Sequence, residues 1–117
     1  MKRLGLLGGM SWESSIEYER TTNELVRERL GGVASADLLI RSFNFADIEE
    51  LQRAGRWDDA GTTLAQAAAN LVASGAEGVI AGCTEIELLI GQDDLPVPYF
   101  PTAYLHAVAA VDFALAP

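Results

Sequence analysis

The sequence of 117 residues predicts a single α/β domain of flavodoxin-like type, with a roughly four-stranded parallel sheet flanked by helices. Short apolar runs alternate about four times with segments of helical periodicity, as a series of βα units requires. Two of the runs empty into glycine-containing turns at Gly8-Gly9 and Gly82, and right-handed crossovers between parallel strands place helices on both faces.

Arg3 to Leu7 is short and apolar and stops at Gly8-Gly9, which suits a buried strand ending in a tight turn. Ser14 and Glu17 have capping-box spacing, predicting a helix that starts there and runs towards Leu30, where Gly31-Gly32 ends it. Asp37 to Phe43 is the second strand, and Asn44 caps a short amphipathic helix from Phe45 to Ala54 that Gly55 breaks. A longer helix begins at Trp57; Leu64, Ala67, Ala68, Leu71 and Val72 form its apolar stripe, and Ser74-Gly75 closes it. Gly78 to Gly82 is the third buried strand, delivering Cys83-Thr84-Glu85 to the turn before a helix from Ile86 to Ile90. Pro96 and Pro98 bracket a fourth strand over Val97 to Phe100. Thr102 is placed to cap a last helix whose apolar face includes Leu105, Val108, Ala109 and Leu115.

Eight basic against 17 acidic residues give a formal charge of -9, the wrong sign for neutralising nucleic-acid phosphates. The same charge repels an anionic small molecule at long range, so an acidic substrate has to be held by local donors such as backbone amides. The mean hydropathy of +0.16 provides material for a core, and no apolar run is long enough to span a bilayer. The N-terminal segment is unlike a secretory signal, and the expected location is the cytoplasm. One cysteine excludes an intrachain disulfide, and no cluster suggests a metal site.

Ligands in open parallel sheets bind beyond the carboxyl ends of the strands, where both the Gly8-Gly9-Met10-Ser11 and the Cys83-Thr84-Glu85 turns should fall. Cys83 is open to two readings: a thiol at a helix start, where free amides favour the thiolate, or a buried space-filler. Gly9, Met10 and Ser11 form either an amide cradle for a carboxylate or a structural turn, and G-L-L-G-G lacks the dinucleotide-binding spacing. Thr84 either binds a carboxylate or caps its helix. His106 is read as a surface or partly packed residue, Trp12 and Trp57 as packed against neighbours, and the acidic pairs at Glu49-Glu50, Asp58-Asp59 and Asp93-Asp94 as solvated.

With G-L-L-G-G-M-S-W-E-S from Gly5, S-F-N-F-A-D-I-E-E-L from Ser42, W-D-D-A-G from Trp57 and G-A-E-G-V-I-A-G-C-T-E-I from Gly75, the chain resembles the aspartate/glutamate racemases. P-V-P at Pro96 and L-H-A-V-A-A-V-D-F-A-L from Leu105 extend the match. The resemblance places residues 1–75 with the family's N-terminal part and 76–117 with its C-terminal end, a half-length form lacking the central region. Family members have two pseudo-symmetric α/β domains, each bringing a cysteine or a substitute to the cleft between them. The family's D-T-T before the last helix is Pro101-Thr102-Ala103 here, which removes the usual basis for a substrate contact from that loop.

The resemblance implies cofactor-independent racemisation of a small acidic amino acid, without pyridoxal phosphate or metal. Cys83 moves the α-proton; Gly9, Met10, Ser11 and Thr84 hold carboxylates, and Glu85 orients the ammonium or the neighbouring hydroxyl. Because inversion needs groups on both faces of the substrate and each chain has one thiol, a homodimer with a shared cleft is expected. The alternatives are a one-cysteine isomerase or lyase of the same superfamily, and an inactive half-length domain that only binds or dimerises.

Overall fold

The computed structural model describes residues 1–117. Its N-terminal apolar run forms β1 (Leu4–Gly8), followed by α1 (Trp12–Leu30) and β2 (Leu38–Ser42). Helices α2 (Phe45–Arg53) and α3 (Trp57–Ala73) lead to β3 (Gly78–Ala81) and the short α4 (Thr84–Leu89). A 3₁₀ turn at Gln92–Asp94 precedes β4 (Tyr99–Pro101) and α5 (Thr102–Leu115). All four strands are parallel in the order β2-β1-β3-β4, with Leu6 opposite both Ile40 and Ile80 and Val79 opposite Tyr99. The predicted sheet and its flanking helices are therefore present.

The core lies mainly on one side of this sheet. Leu7, Val79, Ala81 and Tyr99, which share a face by register, pack with Ile48 of α2, Leu64, Ala68 and Leu71 of α3 and Ile86 of α4. The predicted α3 stripe is thus the central helical contribution, Val72 packing at its margin. On the other face Leu4, Ile80 and Phe100 meet Tyr18, Leu25 and Val26 of α1 across an open cleft of about 380 Å³. Ser15 is the one α1 residue fully buried, and no α5 residue is buried. A helix as apolar as α5 normally packs against something.

Local expectations fail where a tertiary partner outcompetes a cap. Helix α1 begins at Trp12, and the Ser14–Glu17 capping box does not form: Glu17 pairs with Arg20 one turn on. Thr102 does not cap α5, because its hydroxyl donates to the Ala81 carbonyl at 2.8 Å. The cap comes instead from Glu87 of α4, whose carboxylate accepts the amides of Ala103 at 2.9 Å and Tyr104 at 3.2 Å. Asn44 does cap α2 as expected, accepting the Ala46 amide at 3.1 Å. Helix α4 starts two residues earlier than predicted, and β4 occupies Tyr99–Pro101 rather than Val97–Phe100. Trp12 and Trp57 are exposed rather than packed, at 60% and 52%.

Candidate active site

The two turns singled out in the sequence do meet at the carboxyl edge of the sheet. The Gly82 amide donates to the Leu7 carbonyl at 2.7 Å, tying the end of β3 to the end of β1 one residue before Cys83. A Cβ on Gly82 would come within 2.4 Å of that carbonyl oxygen, so only glycine allows this approach. Cys83 then takes an extended conformation as the residue preceding α4.

The glycine turn is held from the other side. Gly9, at φ +93, fits against Phe43, and its amide donates to the Ser15 hydroxyl at 2.8 Å. That amide is therefore engaged, and Gly9 shapes the turn rather than offering a free donor. The amides of Met10 and Ser11 make no hydrogen bond within the chain, while the Met10 side chain is buried in the core. Ser11 has φ 127, a strained value for a residue with a side chain, and its hydroxyl lies 3.3 Å from a Glu13 carboxylate oxygen and 3.4 Å from the Ser14 hydroxyl. Strain kept at such a turn fixes the direction of two unpaired amides.

Cys83 is 8% exposed and belongs to the same apolar cluster as Met10, Ile86 and Tyr99. Burial pushes its thiol above the ordinary value, the Glu85 and Ile86 amides pull it down, and the Glu85 and Glu87 carboxylates add to the rise. The thiolate expected from a helix start is thus not favoured in the single chain, since α4 is only six residues long and desolvation dominates. Thr84 is exposed at the first turn of α4, and Glu85, half-buried, accepts a hydrogen bond from Gln52 of α2 at 3.4 Å. His106 is exposed on α5. No group of three or more His, Cys, Asp or Glu side chains is placed to hold a metal ion.

No family model matches the chain. Among solved structures, a candidate Asp/Glu racemase from Yersinia pestis is 37% identical, with a TM-score of 0.88 over 97% of this chain and 50% of its own. An aspartate racemase homologue from Pyrococcus horikoshii is 28% identical, with a TM-score of 0.81 over the same shares. The chain is similar to these Asp/Glu racemase structures over nearly its whole length. It spans about half the length of both structures, and its one α/β unit follows the racemase fold nearly end to end.

In this racemase-like unit the structure brings Met10, Ser11, Cys83, Thr84 and Glu85 to one edge and gives Gly9 a shaping role. Three contributors escaped the sequence reading: Ser15, Gln52 and Glu87. Ser15 was masked by its neighbour Ser14, whose spacing to Glu17 looked like a cap. Nothing in the sequence pairs Gln52 with Glu85 or Glu87 with the start of α5, because both links are made only by folding.

Proposed function

We propose that this chain racemises an acidic amino acid, aspartate or glutamate, without a cofactor, Cys83 moving the α-proton in a cleft shared by two copies. The observation that carries the reading is the placement of Cys83 at the same sheet edge as the unpaired Met10 and Ser11 amides. Those amides, with the Thr84 hydroxyl, suit a carboxylate; Glu85, held by Gln52, suits the ammonium. The joining of a 1–75 part to a 76–117 part at equivalent points of two similar domains accounts for one complete unit with one thiol.

Inversion needs a base on one face of the α-carbon and an acid on the other, each within about 3–3.5 Å of its target. One Cys83 thiolate takes the α-proton, the carbanion flattens, and the Cys83 thiol of the second copy returns a proton from the opposite side. Elevation of the thiol by burial suits the acid directly; the base has to be generated by loss of its proton in the assembled cleft. Association is also favoured by α5, where Val108, Val111 and Phe113 are 38%, 52% and 86% exposed. No helix is long and apolar enough to cross a membrane. A reducing cytoplasm keeps the single thiol free.

The test combines solution mass with α-deuterium exchange in heavy water, followed by proton NMR on L- and D-aspartate and L- and D-glutamate. A dimer that exchanges, and a Cys83→Ser variant that does not, is the expected result. A monomer with no exchange on any of the four sinks the proposal and leaves a binding or dimerising domain without turnover. The raised thiol also favours a second reading, in which Cys83 acts alone as an acid in an isomerase or lyase. Chiral chromatography of the products separates the two.

A further inference from the structure

Helix α5 and the α1 face of the sheet are two apolar surfaces of one chain, and neither is covered. Every residue from Tyr104 to Pro117 is exposed. Tyr104, Val108, Val111 and Leu115 recur at helical spacing and form one stripe along α5. On the sheet, Leu4, Ile80 and Phe100 line the cleft of about 380 Å³ that Leu25 and Val26 of α1 close from the other side. The radius of gyration is 15.1 Å, against about 13 Å for a compact chain of this length. A helix standing off the body accounts for the excess.

The helix does not fill its own cleft, because its start is fixed elsewhere. The Thr102 hydroxyl donates to the Ala81 carbonyl, and Glu87 of α4 accepts the Ala103 and Tyr104 amides. Helix α4 is itself tied into the core on the opposite face through Ile86. Of α5, only Thr102 reaches the cleft. We propose that two copies exchange α5, each laying the Tyr104–Leu115 stripe in the cleft between α1 and the sheet of the other. Such a contact is reciprocal and closes on itself as a dimer. Charge favours this pairing: the chain carries -9 overall, yet α5 has one acidic side chain, Asp112, and the cleft is lined by one cation, Arg29. Neither forms an ion pair within its own chain. The area is also sufficient. A helix of 14 residues is about 21 Å long and about 11 Å across, so one side of it presents about 360 Å². Helix side and cleft from both copies together bury about 1,400 Å², within the range of about 1,200–2,000 Å² that stable interfaces occupy.

The inference shares a second copy with the proposed function but does not depend on Cys83. Its test places p-benzoylphenylalanine at position 111 of an unlabelled chain, which is refolded from urea with an excess of isotope-labelled native chain and irradiated. Mass spectrometry of the tryptic peptides identifies what α5 has captured. The expected product joins unlabelled α5 to α1, β3 or β4 peptides, labelled ones outnumbering unlabelled ones about tenfold at a tenfold excess, as mass action requires. The same probe at position 108 guards against disturbance at a single site. Capture of unlabelled cleft peptides alone means that the helix folds back into its own cleft and overturns the proposal. Capture outside the cleft, or no capture from either position, overturns it as well. Labelled capture without α-deuterium exchange upholds the paired helices while removing the racemase reading; α-deuterium exchange without labelled capture does the reverse.

Discussion

Replacing Gly9 by alanine isolates how tightly the turn beneath the site is built, because Gly55 supplies a matched control. Both glycines have left-handed backbones, at φ +93 and +71, so alanine incurs a similar conformational cost of about 1–2 kcal/mol at either position. The smaller unfolded-state entropy of alanine returns roughly 0.4–1 kcal/mol in both. What differs is the space. A Cβ at Gly55 meets nothing within 4 Å, whereas at Gly9 it falls 2.4 Å from both the nitrogen and the oxygen of Phe43. Backbone cannot rotate away as a side chain can, so β2 and the turn have to separate, adding about 1–3 kcal/mol or more. Gly55→Ala is therefore expected to cost about 1 kcal/mol and Gly9→Ala about 3 kcal/mol or more. Urea unfolding followed by circular dichroism measures both. Equal losses in the two variants would refute the claim that the fit against Phe43, rather than the sign of φ, dictates glycine at position 9.

Other features of the fold have measurable consequences. Cys83 and Tyr99 both have raised folded-state values, so each contributes stability that is present below its unfolded value and lost as pH rises through the folded one. Thermal stability should accordingly fall from about pH 8.5 upward, and a Cys83→Ser, Tyr99→Phe double variant should flatten that decline up to about 12. Glu87→Ala removes the acceptor of two amides at the start of α5 and is expected to cost about 1 kcal/mol, with hydrogen exchange accelerating at Ala103 and Tyr104. Val111→Glu, placed on the uncovered helix α5, should leave the circular dichroism spectrum intact and lower the mass in solution if α5 is part of the contact between copies.

Much of this architecture is legible because it follows from local pattern. The alternation of apolar runs with helical stripes marks the elements, and strand ends determine which turns share an edge, so the sequence alone places Cys83 and Met10-Ser11 together. What escaped is what distant residues decide. Ser14 and Glu17 satisfy the spacing of a cap, yet Ser15 is the side chain turned inward, because the Gly9 amide needs an acceptor that only the next position can reach. Thr102 has a capping residue's chemistry, but the Ala81 carbonyl takes its hydroxyl and a carboxylate 15 positions earlier, Glu87, takes over the cap. The thiol shows the same competition in electrostatic form. A helix start lowers its value, as the sequence suggested, while the depth at which the fold seats the sulfur raises it further than two amides can lower it.

That competition bears on the racemisation proposed above for a unit with one thiol. Within one chain the sulfur is buried in the core cluster, in surroundings that favour its protonated form, and one thiol could serve only one face of an α-carbon. A second identical unit set across the cleft would bring the missing face. The ammonium of a bound substrate would bring positive charge to the Glu85 carboxylate, which otherwise opposes ionisation of the thiol. Substrate binding and thiolate formation would then be coupled: a ligand that neutralises Glu85 lowers the cost of ionising Cys83, and by reciprocity the ionised form binds that ligand more tightly. Aspartate should on this reasoning accelerate alkylation of Cys83, whereas succinate, which keeps both carboxylates but lacks the ammonium, should not. Equal acceleration by both would show that the amide turn, and not Glu85, communicates with the sulfur.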